Sequence, residues 1–457
     1  MTTTLAADPV IPLRPHVGAL RRAPRPGLLA AAVVAGSAAV LALWWAGTSA
    51  TAASTPGDAA TALGELVGML ASFLVCVQLL LVARVPWAER AAGQDRLTAW
   101  HRTLGTTVVL LVAAHVVAMV AGGALLDRAT PWDELVQLLE RTPYLLWALI
   151  GTVTFLAAGL SSARLVRRRL SYEWWYVIHL TVYGGIFLAF FHQVQAGTHF
   201  VDSTAARAAW WVLYAGTALA VAWHRVLAPT VRHLRLRPRV AAVVPAGRDT
   251  VGVWVTGPGL GSLGARPGQF FLVRFLAAGH WFTAHPYSVS AVPRDDTLRF
   301  TVGALGDHSS TVPLLPVGTP VLLEGPFGTV TADRAHRAVL LVAGGAGIGP
   351  VRALAEELVA RGTDTVVLHR AHDEAGLAHR DEFPATPTLR YVPMPGRRAD
   401  LGYDPLSPSV IAHLVPDVRD RDVILCGPPG MVEDVSVSLR LLGVPAAAVH
   451  HEEMSWS

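Results

Sequence analysis

The amino-acid sequence predicts a multidomain membrane protein with a six-helix transmembrane bundle, then an antiparallel β-barrel, then an α/β domain with a parallel sheet. Three observations predict this class. The chain has 457 residues, which is enough for two or three domains. Hydrophobic residues make up 52% of the chain and charged residues only 15%, and the mean hydropathy is +0.43. The apolar residues concentrate in the first half, whereas the second half has the pattern of an ordinary water-soluble α/β sequence.

Six apolar segments are each close to the ~20 residues with which a helix crosses about 30 Å of hydrocarbon. Arginines cluster in the N-terminal tail and after the second, fourth and sixth segments, while the alternate loops hold two at most. The sequence thus predicts a multi-pass protein of the cell (plasma) membrane. By the positive-inside rule, both of its termini are expected to be cytoplasmic. Residues 1–27 then form a cytoplasmic tail and 28–228 the transmembrane domain. The predicted spans are 28–49, 62–83, 101–122, 143–163, 175–195 and 208–228.

The loop between the third and fourth spans contains acidic residues and leucines at helical spacing over 131–140. Two interpretations stay open for this segment. It forms a short amphipathic helix on the outer membrane surface, or it is a simple exposed cap.

The chain after Pro238 alternates short apolar runs with glycine and proline turns, which predicts a small antiparallel barrel over 229–334. After Arg337 the order becomes strand, glycine turn, helix and strand, which predicts a parallel α/β domain over 335–457. The barrel strands are predicted at 251–255, 270–275, 298–302 and 321–323. The α/β elements are predicted at 338–343, 344–349, 351–361 and 365–369.

Four histidines lie inside two of the apolar segments. His101 and His115 are 14 residues apart, and His179 and His192 are 13 apart. Placing an ionisable side chain in lipid costs free energy, so each of these histidines is a candidate functional residue. At about 100° per residue, the first pair shares one helix face, whereas the second pair lies about 140° apart. The second pair therefore needs a bend, a bulge or ligands approached from different sides, and the glycine pair at 184–185 permits a distortion.

Spans three and five run in the same direction, so the histidines also pair by depth. His101 and His179 are expected near the cytoplasmic face, and His115 and His192 near the outer face. A pair of neutral imidazoles is an axial ligand set for haem iron that leaves no open position. The pattern therefore predicts two b-type haems that pass electrons. In the alternative interpretation each histidine only hydrogen-bonds a neighbouring helix, and His199 could replace His192 as a ligand.

The barrel region contains His285-Pro286-Tyr287-Ser288, followed by a glycine- and serine-rich segment over 303–310. Tyr287 offers an aromatic surface and Ser288 a hydroxyl, as a flavin ring requires. The later segment offers backbone amides and hydroxyls suited to phosphate. The alternative is that the Tyr-Ser pair belongs to the barrel core and the second segment is only a turn.

The α/β region contains a hydrophobic strand that runs into glycines and opens a helix, which is the place where a pyrophosphate approaches the backbone. The glycine spacing differs from that of the Rossmann fingerprint, and tight packing is the alternative. Cys426 and Gly427 end another strand, where ligands bind in open parallel sheets. Arg370 and Arg380 are candidates for a 2′-phosphate contact or for a solvated face.

The soluble motifs, in this order, resemble the ferredoxin–NADP reductase superfamily. The six-span domain with four paired histidines resembles the ferric reductase and NADPH oxidase transmembrane family, so the two resemblances together cover about 28–457. They imply a flavin motif at His285, Pro286, Tyr287 and Ser288 and a flavin pyrophosphate segment at Gly306, His308 and Ser309. They imply a nicotinamide dinucleotide turn at Gly344, Gly345, Gly347, Gly349 and Pro350, with Cys426, Gly427 and Pro428 near the nicotinamide. Glu453 falls in the family's C-terminal stretch, and Trp456 stands in for the terminal aromatic, which is displaced in this sequence.

The resemblance implies FAD, two b-type haems and NADPH (or NADH) as cofactors of a transmembrane oxidoreductase. Electrons would pass from cytoplasmic NADPH to an extracytoplasmic small-molecule or metal-ion acceptor, such as oxygen or a ferric or cupric ion. The alternative is a redox module that serves a periplasmic or extracellular partner protein. The lipid bilayer is an expected partner, and the sequence leaves open whether the protein forms a homo-oligomer. A nucleic-acid partner is rejected, because the net charge is only +4 and the arginines lie where apolar segments end.

Overall fold

The computed structural model describes residues 26–48, 54–304, 306–335 and 337–451. The chain divides into two compact units, with the boundary between Leu227 and Ala228. Nearly all of the N-terminal tail lies outside the described residues, as do Glu453 and Trp456.

Helices make up the first unit, and they include the predicted membrane spans. Among the described residues, six helices are long and apolar enough to cross a membrane, which agrees with the predicted number. A π-helical turn, Trp223–Leu227, lies at the end of this unit. The helices before that turn are α1 Pro26–Gly47, α2 Pro56–Val82, α3 Pro86–Ala92, α4 Gln94–Asp127, α5 Pro131–Arg141, α6 Leu145–Ser162, α7 Arg164–Arg167, α8 Tyr172–Ala196, α9 Thr198–Val201 and α10 Thr204–Ala222.

Capping residues explain why some helices begin earlier than the apolar pattern predicts. Helix α2 begins six residues before the predicted span, because Thr55 and Asp58 form a reciprocal capping box. The Thr55 hydroxyl accepts from the Asp58 amide at 3.2 Å, and the Asp58 carboxylate accepts from the Thr55 amide at 3.0 Å. Helix α5 begins in a similar way, with the Thr130 hydroxyl accepting from the Asp133 amide at 3.2 Å.

Glycines let the transmembrane helices approach closely in pairs. A Cβ atom at Gly64 of α2 would lie 2.8 Å from the Met119 sulfur of α4, and one at Gly151 of α6 would lie 2.8 Å from the Gly185 carbonyl of α8. In lipid, where the hydrophobic effect does not drive helices together, such small residues allow the contacts that do. Helix α8 runs without interruption, so Gly185 serves packing against α6 rather than a bulge.

The second unit begins with helix α11, Ala228–Leu236, and then forms a lobe of six antiparallel strands, named the β lobe. Its strands form two three-stranded sheets, in the orders β1-β2-β5 and β4-β3-β6, around a shared core that includes Phe271, Phe275 and Phe300. The four predicted strand positions are confirmed, and β1 and β4 are additions to them. The strands are β1 Arg239–Gly247, β2 Thr250–Thr256, β3 Phe270–Phe275, β4 His285–Ser288, β5 Thr297–Gly303 and β6 Val321–Phe327, and helix α12, Asp307–Thr311, follows β5.

The predicted closed barrel is wrong for the described residues. No strand of one three-stranded sheet pairs along its length with a strand of the other among the described residues. Isolated bridges, such as Val289 with Phe300 and Arg239 with Pro320, link the two sheets. The physical reason lies in β4, which has four residues and forms the edge of its sheet. Pro286 within it has no amide hydrogen and cannot extend the ladder outward.

The chain then forms the α/β lobe, whose five strands pair in parallel in the order β11-β10-β7-β8-β9. This confirms the predicted parallel sheet. The strand order reverses between β7 and β10, which is where open parallel sheets bind ligands. The elements are β7 Val339–Gly344, α13 Ile348–Ala360, β8 Thr365–Arg370, β9 Leu389–Met394, α14 Arg398–Leu401, α15 Pro408–Leu414, β10 Asp422–Cys426, α16 Pro429–Leu441 and β11 Val449–His451.

Candidate functional site

His101 and His179 lie side by side between α4 and α8. Their ring centroids are 6.0 Å apart, in an edge-to-face arrangement. The Gln78 carbonyl of α2 accepts from His101 Nδ1 at 3.2 Å, and the Gln78 side chain donates to the His101 carbonyl at 2.8 Å. The ring of His179 stacks on Trp175 with centroids 5.2 Å apart. Both rings are therefore held in place by neighbours on their own or an adjacent helix.

His115 and His192 line one cavity of about 420 Å³ in the same unit. The Gly64 carbonyl of α2 accepts from His115 Nδ1 at 2.8 Å. Gly68, one turn further along α2, leaves room for this ring, since a Cβ atom there would lie 2.6 Å from His115 Nδ1. Three leucines of α5 also line the cavity, so the apolar face of this amphipathic helix covers it. The lining leucines of α5 are Leu135, Leu138 and Leu139.

The donor set of these two pairs suits haem. A carbonyl that accepts from Nδ1 fixes the tautomer and leaves the Nε2 lone pair for a metal, as at His101 and His115. In the described part of the chain, no group of three or more His, Cys, Asp or Glu residues could hold a metal ion alone. A haem needs only two axial protein ligands, because its macrocycle supplies the other four.

A carboxylate and a further histidine lie in the wall of the same cavity. Glu65, which follows Gly64 on α2, accepts from the Thr198 hydroxyl at 2.9 Å, and its other oxygen lies 3.3 Å from His199 Nε2. The sequence singled out His199 only as an alternative to His192. The structure places it against Glu65, a partner that lies 134 residues earlier and that no local pattern indicates.

In the β lobe, the His-Pro-Tyr-Ser motif forms strand β4 beside β3, and two further histidines lie next to it. The His285 and His308 rings have centroids 4.0 Å apart, and the His280 and His308 rings are joined by a hydrogen bond of 2.9 Å between Nδ1 and Nε2. His285 Nε2 and His308 Nδ1 are buried without a hydrogen-bond partner among the described residues. Two such orphaned ring nitrogens fit a bound diphosphate.

Burial controls the titration of these histidines. It lowers the pKa of His308 to about 4, assisted by the neighbouring His285 and His280. Burial is also the main reason why the pKa values of His285 and His280 are lowered. Burial also raises the pKa of Tyr287, whose ring packs against the lobe's core.

The other residues of the two predicted flavin segments lie in strand β4 or at the start of helix α12. Ser288 is buried at the end of β4. Gly306 and Ser309 form a local loop in which the Ser309 hydroxyl accepts from the Gly306 amide at 3.0 Å. His308 of the same segment is therefore the residue that reaches the motif on β4.

The glycine turn after β7 and the Cys-Gly-Pro turn after β10 meet at the carboxyl ends of adjacent strands. A Cβ atom at Gly347 would overlap the Cys426 carbonyl, and one at Gly344 would lie 2.6 Å from the Met431 sulfur. Gly345 has φ +54°, a conformation that other residues rarely adopt. The backbones can approach this closely only because these positions are glycine.

The glycine turn also packs on the β lobe. A Cβ atom at Gly349 would lie 2.7 Å from the Thr301 Cβ and 3.2 Å from the Ser290 Cβ. Pro350 follows within α13 and is buried. The turn thus lies between the strand-end crevice of the α/β lobe and the strands that follow the β4 motif.

Two protein families match the two halves of this architecture. Residues 67–190 match the family described as ferric reductase like transmembrane component, and residues 341–437 match the oxidoreductase NAD-binding domain.

The chain joins a ferric reductase-like transmembrane domain to an oxidoreductase NAD-binding domain. The first match includes three of the four paired histidines and ends two residues before His192. The second includes the glycine turn and Cys426.

Several similar proteins are known. The ferredoxin–NAD(P)(+) reductase component of the naphthalene 1,2-dioxygenase/salicylate 5-hydroxylase systems of Ralstonia sp. is 29% identical, over 40% of this chain and 58% of that protein. An NADPH oxidoreductase of Mycobacterium tuberculosis is 30% identical, over 43% of this chain and 54% of that protein. The chain thus spans little more than half of the length of these relatives. The crystal structure of the flavohem-like FAD/NAD binding domain of nitric oxide dioxygenase from Vibrio cholerae is 19% identical, covers 48% of this chain and 98% of that one, and has a TM-score of 0.41.

Arg370 of the NAD-binding domain is engaged by its own lobe. Its guanidinium donates to the Met394 carbonyl at 2.7 Å and also to the carbonyls of Ala371 and Gly396. Arg380 pairs with Glu374 at 2.5 Å. Neither side chain is presented freely to a 2′-phosphate, and the role expected for Arg370 stays a prediction.

Proposed function

We propose that the protein passes electrons from cytoplasmic NADPH, through FAD and two bis-histidine b-type haems, to an acceptor on the other side of the membrane. The observation that carries the proposal is the pairing of four histidines across α4 and α8 in a chain that also has an NAD-binding domain. NADH is the alternative donor. The protein is then a flavocytochrome b oxidoreductase of the NADPH oxidase or ferric reductase type.

The residues of the soluble unit would hold the donor and the flavin. The glycine turn accepts the dinucleotide diphosphate on backbone amides, and Cys426 with Gly427 flanks the nicotinamide at the end of β10. Tyr287 and Ser288 border the flavin ring, and His285 with His308 offers ring nitrogens to its diphosphate. When bound, FAD would supply the conversion of a two-electron donor into one-electron transfer, and the haems would supply one-electron carriers.

The residues of the transmembrane unit would hold the haems. His101 and His179 ligate the inner one, and His115 and His192 the outer one. If two histidines hold each haem, no ligand position would be left for the acceptor, which would be reduced without binding to iron. Oxygen, which gives superoxide, and ferric or cupric ions suit such outer-sphere transfer. The arginine distribution supports cytoplasmic termini and an acceptor outside the cell membrane.

Anaerobic reduction of the purified full-length protein tests this function. Addition of NADPH is expected to bleach the flavin absorbance and then to produce reduced b-type haem bands. Subsequent addition of oxygen, or of a ferric chelate without oxygen, is expected to reoxidise the haems. Haem that dithionite reduces and neither NADPH nor NADH reduces would contradict the proposal.

A further inference from the structure

Residues 373–382 of the α/β lobe lie against the β1–β2 hairpin of the β lobe. The His379 amide donates to the Ala246 carbonyl at 3.0 Å, and the Arg248 amide donates to the Ala375 carbonyl at 2.9 Å. The Arg248 guanidinium also pairs with Asp373 at 2.6 Å. Gly247 permits this contact, because a Cβ atom there would lie 3.0 Å from the Ala378 Cβ. Backbone and side chains of the two lobes are thus joined directly along this segment.

His379 is the buried centre of the contact. It has φ +57°, a left-handed conformation that is uncommon for a residue with a side chain, and its side chain is 2% exposed. Its Nδ1 donates to Glu382 at 2.6 Å, and its Nε2 accepts from the Thr301 hydroxyl of β5 at 2.9 Å. Backbone conformations of this kind are unfavourable and persist where the surroundings over-determine them.

Glu382 ties the same segment to a second residue of the β lobe. Its carboxylate accepts from Arg299 at 2.7 Å and from Arg352 of α13 at 3.0 Å. Arg299 in turn donates to the Ser290 hydroxyl at 3.2 Å and to the Ser290 carbonyl at 2.5 Å. Burial alone would raise the pKa of Glu382, but the His379 hydrogen bond and the charge of Arg299 outweigh it and lower the pKa to about 2. The carboxylate therefore stays charged across the physiological range.

Thr301 contacts both the glycine turn and this segment, whereas Ser290 contacts the glycine turn and Arg299. They are the residues on which Gly349 packs, and Ser290 lies two positions after Ser288 of the β4 motif. The position of residues 373–382 is thus coupled through two side chains to the contact between the nucleotide turn and the flavin strand.

We propose that residues 373–382 form an interlobe clamp and that His379 is a positioning residue, which fixes the nucleotide turn against the flavin-binding strand. The proposal rests on the proposed function, in which NADPH delivers a hydride with both electrons to FAD and leaves as NADP⁺. A hydride crosses only a short distance, and a 1 Å misplacement costs about 100-fold in rate. Loss of the clamp is therefore expected to slow this step while the nucleotide still binds.

The test uses full-length protein with bound FAD and compares His379→Ala with His379→Asn. Asparagine tolerates the left-handed conformation, and its side-chain amide can form hydrogen bonds in place of the imidazole. His379→Asn should therefore restore most of the rate that His379→Ala loses. Asp381→Asn is the matched control, because its side chain is 95% exposed in the same segment. Flavin reduction is followed anaerobically by stopped flow over a range of NADPH concentrations.

His379→Ala is expected to lower the limiting rate of flavin reduction by about 10- to 100-fold, while the NADPH concentration at half-maximal rate shifts by less than about threefold. Amide hydrogen exchange in 245–250 should accelerate in the same variant, which a local change at the flavin would not produce. Asp381→Asn should match the unsubstituted protein in both measurements. If His379→Ala does not retain FAD, Glu382→Gln is measured in its place, with the same expectation.

Two outcomes separate the clamp from the function on which it rests. An unchanged limiting rate and unchanged exchange in His379→Ala would overturn the clamp, even if NADPH reduces the flavin normally. Failure of NADPH and NADH to reduce the flavin of the unsubstituted protein would overturn the proposed function. In that case unchanged exchange in 245–250 still rejects the clamp, and faster exchange retains it as an interlobe contact.

Discussion

The imidazole rings of His101 and His179 lie 6.0 Å apart, centroid to centroid, although they belong to different transmembrane helices. His115 and His192 meet in a cavity of the same unit. The four residues therefore form two cross-helix pairs rather than two pairs along single helices.

The room that Gly68 leaves for His115 is expected to be essential for the outer pair. In Gly68→Ala, the new methyl group would displace the ring from the Gly64 carbonyl, and loss of such an orienting partner costs about 10–100-fold in metal affinity. We expect the haem content to fall from two per chain towards one. Gly184→Ala on α8 is the control, since the described structure leaves its Cβ position open, and it should keep both haems. Equal haem content in the two variants would contradict this role of Gly68.

The close approach of Gly347 to Cys426 predicts a selective loss of nucleotide binding. In Gly347→Ala, the methyl group would overlap the Cys426 carbonyl and push the turn out of the strand-end crevice. We expect NADPH affinity to fall at least about tenfold, or about 1.4 kcal/mol, with haem and FAD retained and reducible by dithionite. Gly430→Ala, at an open position of α16, is the matched control. An unaltered affinity in Gly347→Ala would show that the dinucleotide does not use this turn.

The unpartnered nitrogens of His285 and His308 predict a contribution to FAD retention. Replacement of either residue by alanine removes a ring nitrogen that can bond the diphosphate, which is worth about 1.5 kcal/mol, or roughly tenfold in affinity. Fluorescence titration of the FAD-free protein measures the change. His372→Ala, an exposed histidine of the other lobe, should leave the affinity unaltered. An affinity unchanged in both His285→Ala and His308→Ala would place the diphosphate elsewhere.

The buried His369 predicts a loss of stability in mild acid. Burial lowers its pKa to about 4, while an unfolded histidine has its pKa near 6.5, and its Nδ1 bonds the Tyr391 hydroxyl at 2.8 Å. The unfolded chain binds the proton first, so the stability that the neutral ring contributes is present above pH 6.5 and is lost as pH falls towards 4. Thermal melting of the unsubstituted protein should therefore decline over this window. The decline should be shallower in His369→Gln, and identical slopes would contradict the assignment.

The elements that the sequence predicts correctly are those set by local pattern. The six spans follow from apolar length, and β7, α13 and β8 follow from a change of hydrophobic period around the glycines. The observed helix bounds differ from the predicted ones where a capping residue lies outside the apolar segment, as Thr55 does before α2. The barrel expectation failed because the closure of a sheet depends on pairing between distant strands, and Pro286 at the sheet edge limits it.

The contacts that define the sites are mostly non-local, and the sequence does not encode them in any short motif. The His115 ring bonds a carbonyl 51 residues away, and Thr301 bonds His379 across 78 residues. The segment 131–140 forms helix α5, as one of its two interpretations predicts, and the sequence does not show that its leucines line the cavity of His115 and His192. The histidines themselves were found from sequence because ionisable residues are rare in apolar helices.

The central claim is that the haems are held across α4 and α8, and paired histidine replacements with a reduced-minus-oxidised difference spectrum test it most directly. The unsubstituted protein should bind two b-type haems per chain. The double variant His101→Ala with His179→Ala should lose one haem and keep the other, whereas His101→Ala with His115→Ala should lose both. Absence of b-type absorbance in the unsubstituted protein, or loss of both haems from the first variant and only one from the second, would contradict the account.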